Sequence, residues 1–129
     1  MTLSFHPKIQ EAYIDVHSWL AGLEDTIGYM KIDERKINKR LDRDDMKHVA
    51  AQFSLLFPTH YFKIKYALDE VVQREILLGW LRHNPYITLI DMGCGAGAAS
   101  AAFISIILDL IESEDLTPKV HLLCIGVDL

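Results

Sequence analysis

The sequence has few cysteines, no excess of positive charge and no long uninterrupted apolar segment. Its two cysteines, Cys94 and Cys124, are too few in 129 residues to build a disulfide framework. Because both lie in segments that read as buried, we expect two reduced thiols, as in a cytoplasmic protein. The formal net charge of −5 argues against a broad electrostatic surface for nucleic acid.

Signals for targeting, membrane insertion and metal binding are also lacking. The N-terminus has no basic region followed by an apolar core, so it does not read as a signal peptide. The longest apolar stretch, residues 98–111, contains Ser100, Ser105 and Asp109 and is too short and too polar to cross a bilayer. We therefore expect no membrane partner. The six histidines and two cysteines show no ligand spacing, and no metal site is predicted.

Half of the residues are hydrophobic and 24% are charged, which is typical of a folded globular domain. From Pro7 to Ile27, apolar residues recur at three- and four-residue steps, which predicts an amphipathic helix ending at Gly28. A second apolar face is expected to end at Pro58. A long helix is predicted from about residue 60 to 82; it is apolar nearly all round and is expected to be buried on more than one side.

Residues 31–47 form the most charged segment of the chain. Basic and acidic side chains are interspersed there, which favours a solvent-exposed helix with intrahelical ion pairs. A basic face for RNA or another acidic partner is the alternative interpretation.

The most informative segment is residues 87–98, where a short apolar strand is followed by Gly93, Gly95 and Gly97. An apolar helix then runs from Ala98 to Leu110. Glycines leave backbone N–H groups uncovered, and a helix N-terminus contributes the positive end of its dipole. The junction therefore suits a polar or anionic group of a nucleotide-like ligand.

A second strand is predicted over residues 119–127. Its continuous apolar run fits a central parallel strand, and a right-handed crossover places it beside the first strand. Asp128 follows it, at the strand end where ligands of such sheets bind.

The motif Asp91-x-Gly93-x-Gly95-x-Gly97 resembles the first motif of class I S-adenosylmethionine-dependent methyltransferases. Gly126-Val127-Asp128 resembles the acidic end of that family's second strand, so the resemblance covers about the last third of the chain. It implies that Asp91 orients the turn or reaches the methionine amino group, and that Asp128 accepts hydrogen bonds from the ribose hydroxyls. The cofactor-binding residues that it implies are Asp91, Gly93, Cys94, Gly95, Ala96, Gly97 and Asp128.

A dinucleotide is the competing ligand, because Gly93-x-Gly95-x-x-Ala98 also fits the looser nicotinamide-cofactor pattern. Asp91, two residues before the first glycine, is typical of the methyltransferase motif instead. Asp128 also lies beyond the spacing of about 20 residues expected of the dinucleotide fingerprint. We therefore favour S-adenosylmethionine over NAD.

A weaker resemblance concerns the segment that begins Phe57-Pro58-Thr59. It is similar to the segment before the first motif in a ribosome-assembly group of methyltransferase-like proteins. Tyr61 and Lys65 are then candidates for reaching the cofactor pocket, although ordinary surface and packing roles are favoured.

The predicted fold is α/β, with a helical cap region at residues 1–58 and the first β-α-β unit of a Rossmann-like methyltransferase sheet at residues 59–129. Two parallel strands leave open edges, so we expect the N-terminal part of a longer protein, or self-association that completes the sheet. Such a piece by itself is expected to bind cofactor weakly and to be inactive.

The predicted function is methyl transfer from S-adenosylmethionine to RNA, a protein or a small molecule. The alternatives are a non-catalytic methyltransferase-like assembly module and, less favoured, an NAD-binding oxidoreductase. No catalytic residue is predicted, because the acceptor-side residues of the family usually follow later strands.

Overall fold

A computed structural model describes residues 4–28, 30, 46–114 and 120–127. Within these ranges the chain forms helices first and then a strand, a helix and a second strand, which confirms the mixed α/β class. The charged segment at 31–45 and Asp128 lie outside the described residues. In chain order the elements are α1 (Pro7–Gly22), α2 (Glu24–Ile27), α3 (Met46–Ala51), a π-helical turn (Gln52–Leu56), α4 (Phe57–Val71), α5 (Arg74–His83), β1 (Tyr86–Met92), α6 (Ala98–Glu114) and β2 (His121–Val127).

The two strands pair in parallel, in a register that runs from Tyr86 opposite His121 to Met92 opposite Val127. The prediction that the second strand lies beside the first is therefore confirmed. Helix α6 connects them, and it packs with α5 on the side of the sheet to which Ile87 points. Leu81 of α5 and Ile106 of α6 are buried there. Burial of apolar surface by these helices is the main force that holds the β-α-β unit together.

The opposite face of the sheet is exposed in the part of the chain that the structure describes. Ile90 is 58% exposed and Leu123 is 57% exposed. Since parallel register partners point to the same side, Ile90 and Ile125 share this face. The expectation that β2 is buried on both faces is wrong for the described chain, because both neighbouring helices pack on one side. Cys124, predicted as buried, is also exposed.

A second apolar cluster joins the N-terminal segment to α4 and α6. Ala98 and Ala102, one turn apart on α6, are buried against Phe57 and Tyr61 of α4. Phe5 packs against α4, with its ring centroid 4.6 Å from that of Tyr61. Small residues on α6 let the aromatic side chains of α4 approach the helix closely. The start of α6 is therefore held by the helices that precede the sheet.

Three helix predictions differ in the structure. The helix predicted from Pro7 to Ile27 is divided at Leu23 into α1 and α2. The long helix predicted over residues 60–82 is two helices, separated at Val72 and Gln73, whose backbones are extended with ψ of 115° and 94°. Val71 is 71% exposed and Ile76 is 66% exposed, so burial on more than one side is wrong for these positions. Pro58 lies in the first turn of α4, directly after the π-helical turn, rather than ending a helix. Its fixed φ is compatible with a helix start.

Helices α4, α5 and α6 are also linked by charged side chains. Asp69 accepts hydrogen bonds from Lys65 at 2.8 Å and from Arg74 at 2.7 Å, and both cations lie 3.8 Å from Asp109 of α6. Partial burial raises the pKa of Asp69, but the hydrogen bonds and positive charges of Lys65 and Arg74 outweigh it and lower the pKa below its ordinary value. The cluster is partly exposed, so its contribution to stability is small.

Candidate functional site

The glycine turn, residues 93–97, lies where β1 ends and α6 begins. Gly93, Gly95 and Gly97 all have positive φ, of 75°, 48° and 78°. Residues with a Cβ adopt this region only at a cost in free energy, so the backbone conformation explains why glycine occupies these three positions. The turn is built as the sequence predicts, from a strand, three glycines and a helix.

The turn is fastened to the end of β2. The N–H groups of Gly93 and Cys94 both donate to the carbonyl of Val127, over 2.6 and 3.2 Å. Cys94 also points its side chain at Gly126, where a Cβ would stand 2.9 Å from Sγ. Gly126 thus provides the space that the Cys94 side chain fills. Two of the predicted contact residues, Gly93 and Cys94, therefore have their N–H groups engaged by the protein itself.

Several backbone donors of the turn have no partner among the described residues. The N–H of Gly97 donates to the Cys94 carbonyl at 2.7 Å. No acceptor is found within the described ranges for the N–H groups of Gly95, Ala96, Ala98 and Ala99. Unpaired amides at a helix N-terminus, together with the helix dipole, favour a negatively charged group. The turn is therefore equipped to bind a carboxylate or phosphate.

Asp91, near the end of β1, caps helix α6 from outside the helix. Its Oδ2 accepts from the Ser100 hydroxyl at 2.6 Å and from the Ser100 N–H at 3.2 Å. Asp91 thus links the end of β1 to the first turn of α6 across the glycine turn. Its Oδ1 makes no hydrogen bond within the described chain and remains available as an acceptor.

We predict that Asp91→Ala lowers the free energy of unfolding by about 1–2 kcal/mol, because it leaves a first-turn N–H of α6 without its acceptor. Asp91→Asn keeps an oxygen acceptor and should cost less. Denaturant titration measures both changes. Asp15→Ala, an exposed aspartate on α1, is the control and should change stability by less than about 0.5 kcal/mol. Equal effects at Asp91 and Asp15 would contradict the capping role.

The structure adds one residue that the sequence analysis missed. Gln52 is the first residue of the π-helical turn, and its side-chain amide packs against Gly95, with Nε2 3.5 Å from where a glycine Cβ would stand. Sequence periodicity does not reveal this contact, because a π turn has no pattern of its own and residues 52 and 95 are far apart in the chain. The only available signal was a polar side chain within an otherwise apolar segment.

Tyr61 and Lys65 have other partners in the described structure. Tyr61 is fully buried and its hydroxyl accepts from the N–H of His6 at 3.4 Å. Lys65 pairs with Asp69 and Asp109. Both side chains are thus committed to packing and ion pairing, as the favoured interpretation has it.

Two other kinds of site are absent from residues 4–28, 30, 46–114 and 120–127. No group of three or more histidine, cysteine, aspartate or glutamate side chains there has the arrangement to hold a metal ion. None of the helices in that part of the chain has the length and apolar character needed to cross a membrane.

Comparison of the chain with protein-family models, with curated proteins and with solved structures finds no match. Assignment of a function therefore depends on the geometry of the glycine turn and on the residues that carry the resemblance.

Proposed function

We propose that this chain binds S-adenosylmethionine at the glycine turn and forms the cofactor-binding part of a methyltransferase. The observation that carries the proposal is the group of unpaired N–H donors of Gly95, Ala96, Ala98 and Ala99, together with the free Oδ1 of Asp91. The amino-acid end of S-adenosylmethionine has one carboxylate and one ammonium group. The donors suit the carboxylate and Asp91 suits the ammonium, so the turn offers a complement to both charges.

Methyl transfer asks little covalent chemistry of the protein. The sulfonium of the cofactor is already activated, and the protein mainly aligns the acceptor, the methyl group and the sulfur. The residues described here would serve binding and orientation: the turn holds the amino-acid end, and Asp91 keeps α6 in place behind it. In this proposal the acceptor is RNA, a protein or a small molecule, and no residue of the chain is assigned as a catalytic base.

We expect calorimetric titration of the intact protein to show binding of S-adenosylhomocysteine, the demethylated product, and none of NAD. Asp128→Ala should weaken that binding at least about tenfold. Removing the carboxylate that accepts from the ribose hydroxyls should cost about 1.4 kcal/mol or more of binding free energy. Asp15→Ala is the control and should bind as the unaltered protein does.

Other outcomes of this titration favour other functions. Binding of NAD without S-adenosylhomocysteine would point to the oxidoreductase alternative and overturn the proposal. Failure to bind either ligand would favour the second candidate, a non-catalytic assembly module. That candidate draws support from exposed apolar side chains on α1, Val16 and Trp19, which are three residues apart and share a face.

A further inference from the structure

The side chain of Gln52, on the π-helical turn between α3 and α4, packs against the glycine turn. Its Nε2 is 3.5 Å, and its Oε1 3.9 Å, from the position that a Cβ on Gly95 would occupy. Since Gly95 has no side chain, the amide of Gln52 reaches the backbone of the turn directly. The contact lies at the residue where the unpaired N–H groups begin.

The π-helical turn that carries Gln52 is held in place by packing on both sides. Phe53, the next residue, packs against Phe57 with ring centroids 5.2 Å apart and joins the cluster that includes Ala98. The carbonyl of Ser54 accepts from the Tyr13 hydroxyl at 3.1 Å. The position of Gln52 is therefore set by buried neighbours. Isolated π turns within helices often occur at functional sites.

The Gln52 amide has unused hydrogen-bonding capacity. Within the described residues no hydrogen bond involves its side chain, although the side chain is half-buried. A glutamine amide provides two N–H donors and one acceptor. Nε2, which carries both donors, lies beside Gly95, the first of the residues whose N–H groups have no acceptor among the described residues.

We propose that Gln52 is a specificity-determining residue that donates a hydrogen bond to the carboxylate at the amino-acid end of S-adenosylmethionine. This inference rests on the proposed function. It adds a side chain from the helical region to the backbone N–H donors that would bind the carboxylate. Gln52 therefore distinguishes ligands that carry the amino-acid group from nucleosides that lack it.

The test compares two ligands in calorimetric titrations of the intact protein. S-adenosylhomocysteine carries the amino-acid end, and 5′-methylthioadenosine shares the adenosine and thioether but lacks it. Gln52→Met is similar in size but lacks the amide donors and acceptor. It should weaken the binding of S-adenosylhomocysteine about tenfold, which corresponds to the loss of one hydrogen bond to a charged group. The same substitution should leave the affinity for 5′-methylthioadenosine unchanged. Gln52→Glu should weaken the binding of S-adenosylhomocysteine further, because the glutamate and the ligand carboxylate repel each other.

Gln10→Met is the matched control, since Gln10 is exposed on α1, and both affinities should stay unchanged. The readout is the ratio of the two dissociation constants, which a partial loss of folded protein does not alter. An unchanged ratio in Gln52→Met, with S-adenosylhomocysteine still bound, overturns the role of Gln52 and leaves the proposed function standing. If the unaltered protein binds neither ligand, the proposed function fails and the role of Gln52 fails with it.

Discussion

Ile106→Ala is expected to lower the free energy of unfolding by about 2–5 kcal/mol, the range for removing a large buried aliphatic side chain. Ile106 is 0% exposed and belongs to the buried cluster that includes Leu81 of α5 and Ile87 of β1. Its loss removes apolar burial and leaves a cavity in the layer that fastens α6 to the sheet. Denaturant unfolding followed by circular dichroism measures the change.

Ile76→Ala is the matched control for this prediction. Ile76 is the same residue type, lies on α5 and is 66% exposed, so the same atoms are removed from a place with little burial. Its effect should stay within about 0.5 kcal/mol, as for other exposed substitutions. Comparable losses at Ile76 and Ile106 would contradict the core described around α6.

Gly126→Ala is expected to destabilise the protein by about 1–3 kcal/mol, the cost of inserting a methyl group into an occupied space. The new Cβ would stand 2.9 Å from Cys94 Sγ and 3.4 Å from Cys94 Cβ, so the side chain or the turn must move. Because the adjacent Val127 carbonyl holds the N–H groups of Gly93 and Cys94, that movement displaces the glycine turn. We therefore also expect weaker binding of S-adenosylhomocysteine.

A double-mutant cycle assigns this loss to the Cys94 contact. Cys94→Ala removes the sulfur, so the Cys94→Ala, Gly126→Ala double variant should recover much of the lost stability. Gly79→Ala is the control, because a Cβ at Gly79 meets nothing within 4 Å and alanine favours the helix interior. Strictly additive losses at Cys94 and Gly126 would show that the two residues do not compete for one space.

The β-α-β unit was predictable because its signals are local. The apolar run at residues 87–90, the alternating glycines and the apolar helix follow one another in the sequence, and each constrains its own backbone. The break at Val72 and the exposed face of β2 were not predictable in this way. Both depend on which surfaces other elements cover, and hydrophobic pattern alone does not specify that.

The same distinction applies to the candidate site. The glycines were identifiable because positive φ is a local demand that few other residues meet. The pairing of Asp91 with Ser100 spans the whole turn and requires its folded geometry. The contact between Gln52 and Gly95 joins distant parts of the chain, and only tertiary packing brings them together.

The π-helical turn at residues 52–56 also determines how the side chains of α3 are rotated about the helix axis relative to those of α4. An i→i+5 hydrogen bond takes one more residue into the turn than the α-helical bond does. Each residue of an α-helix advances the chain by about 100°, so one surplus residue changes the direction in which every preceding side chain points. Removing a single residue here would turn Gln52 away from Gly95 while leaving a continuous helix. The length of this short segment is therefore as much a determinant of the site as the identity of its side chains.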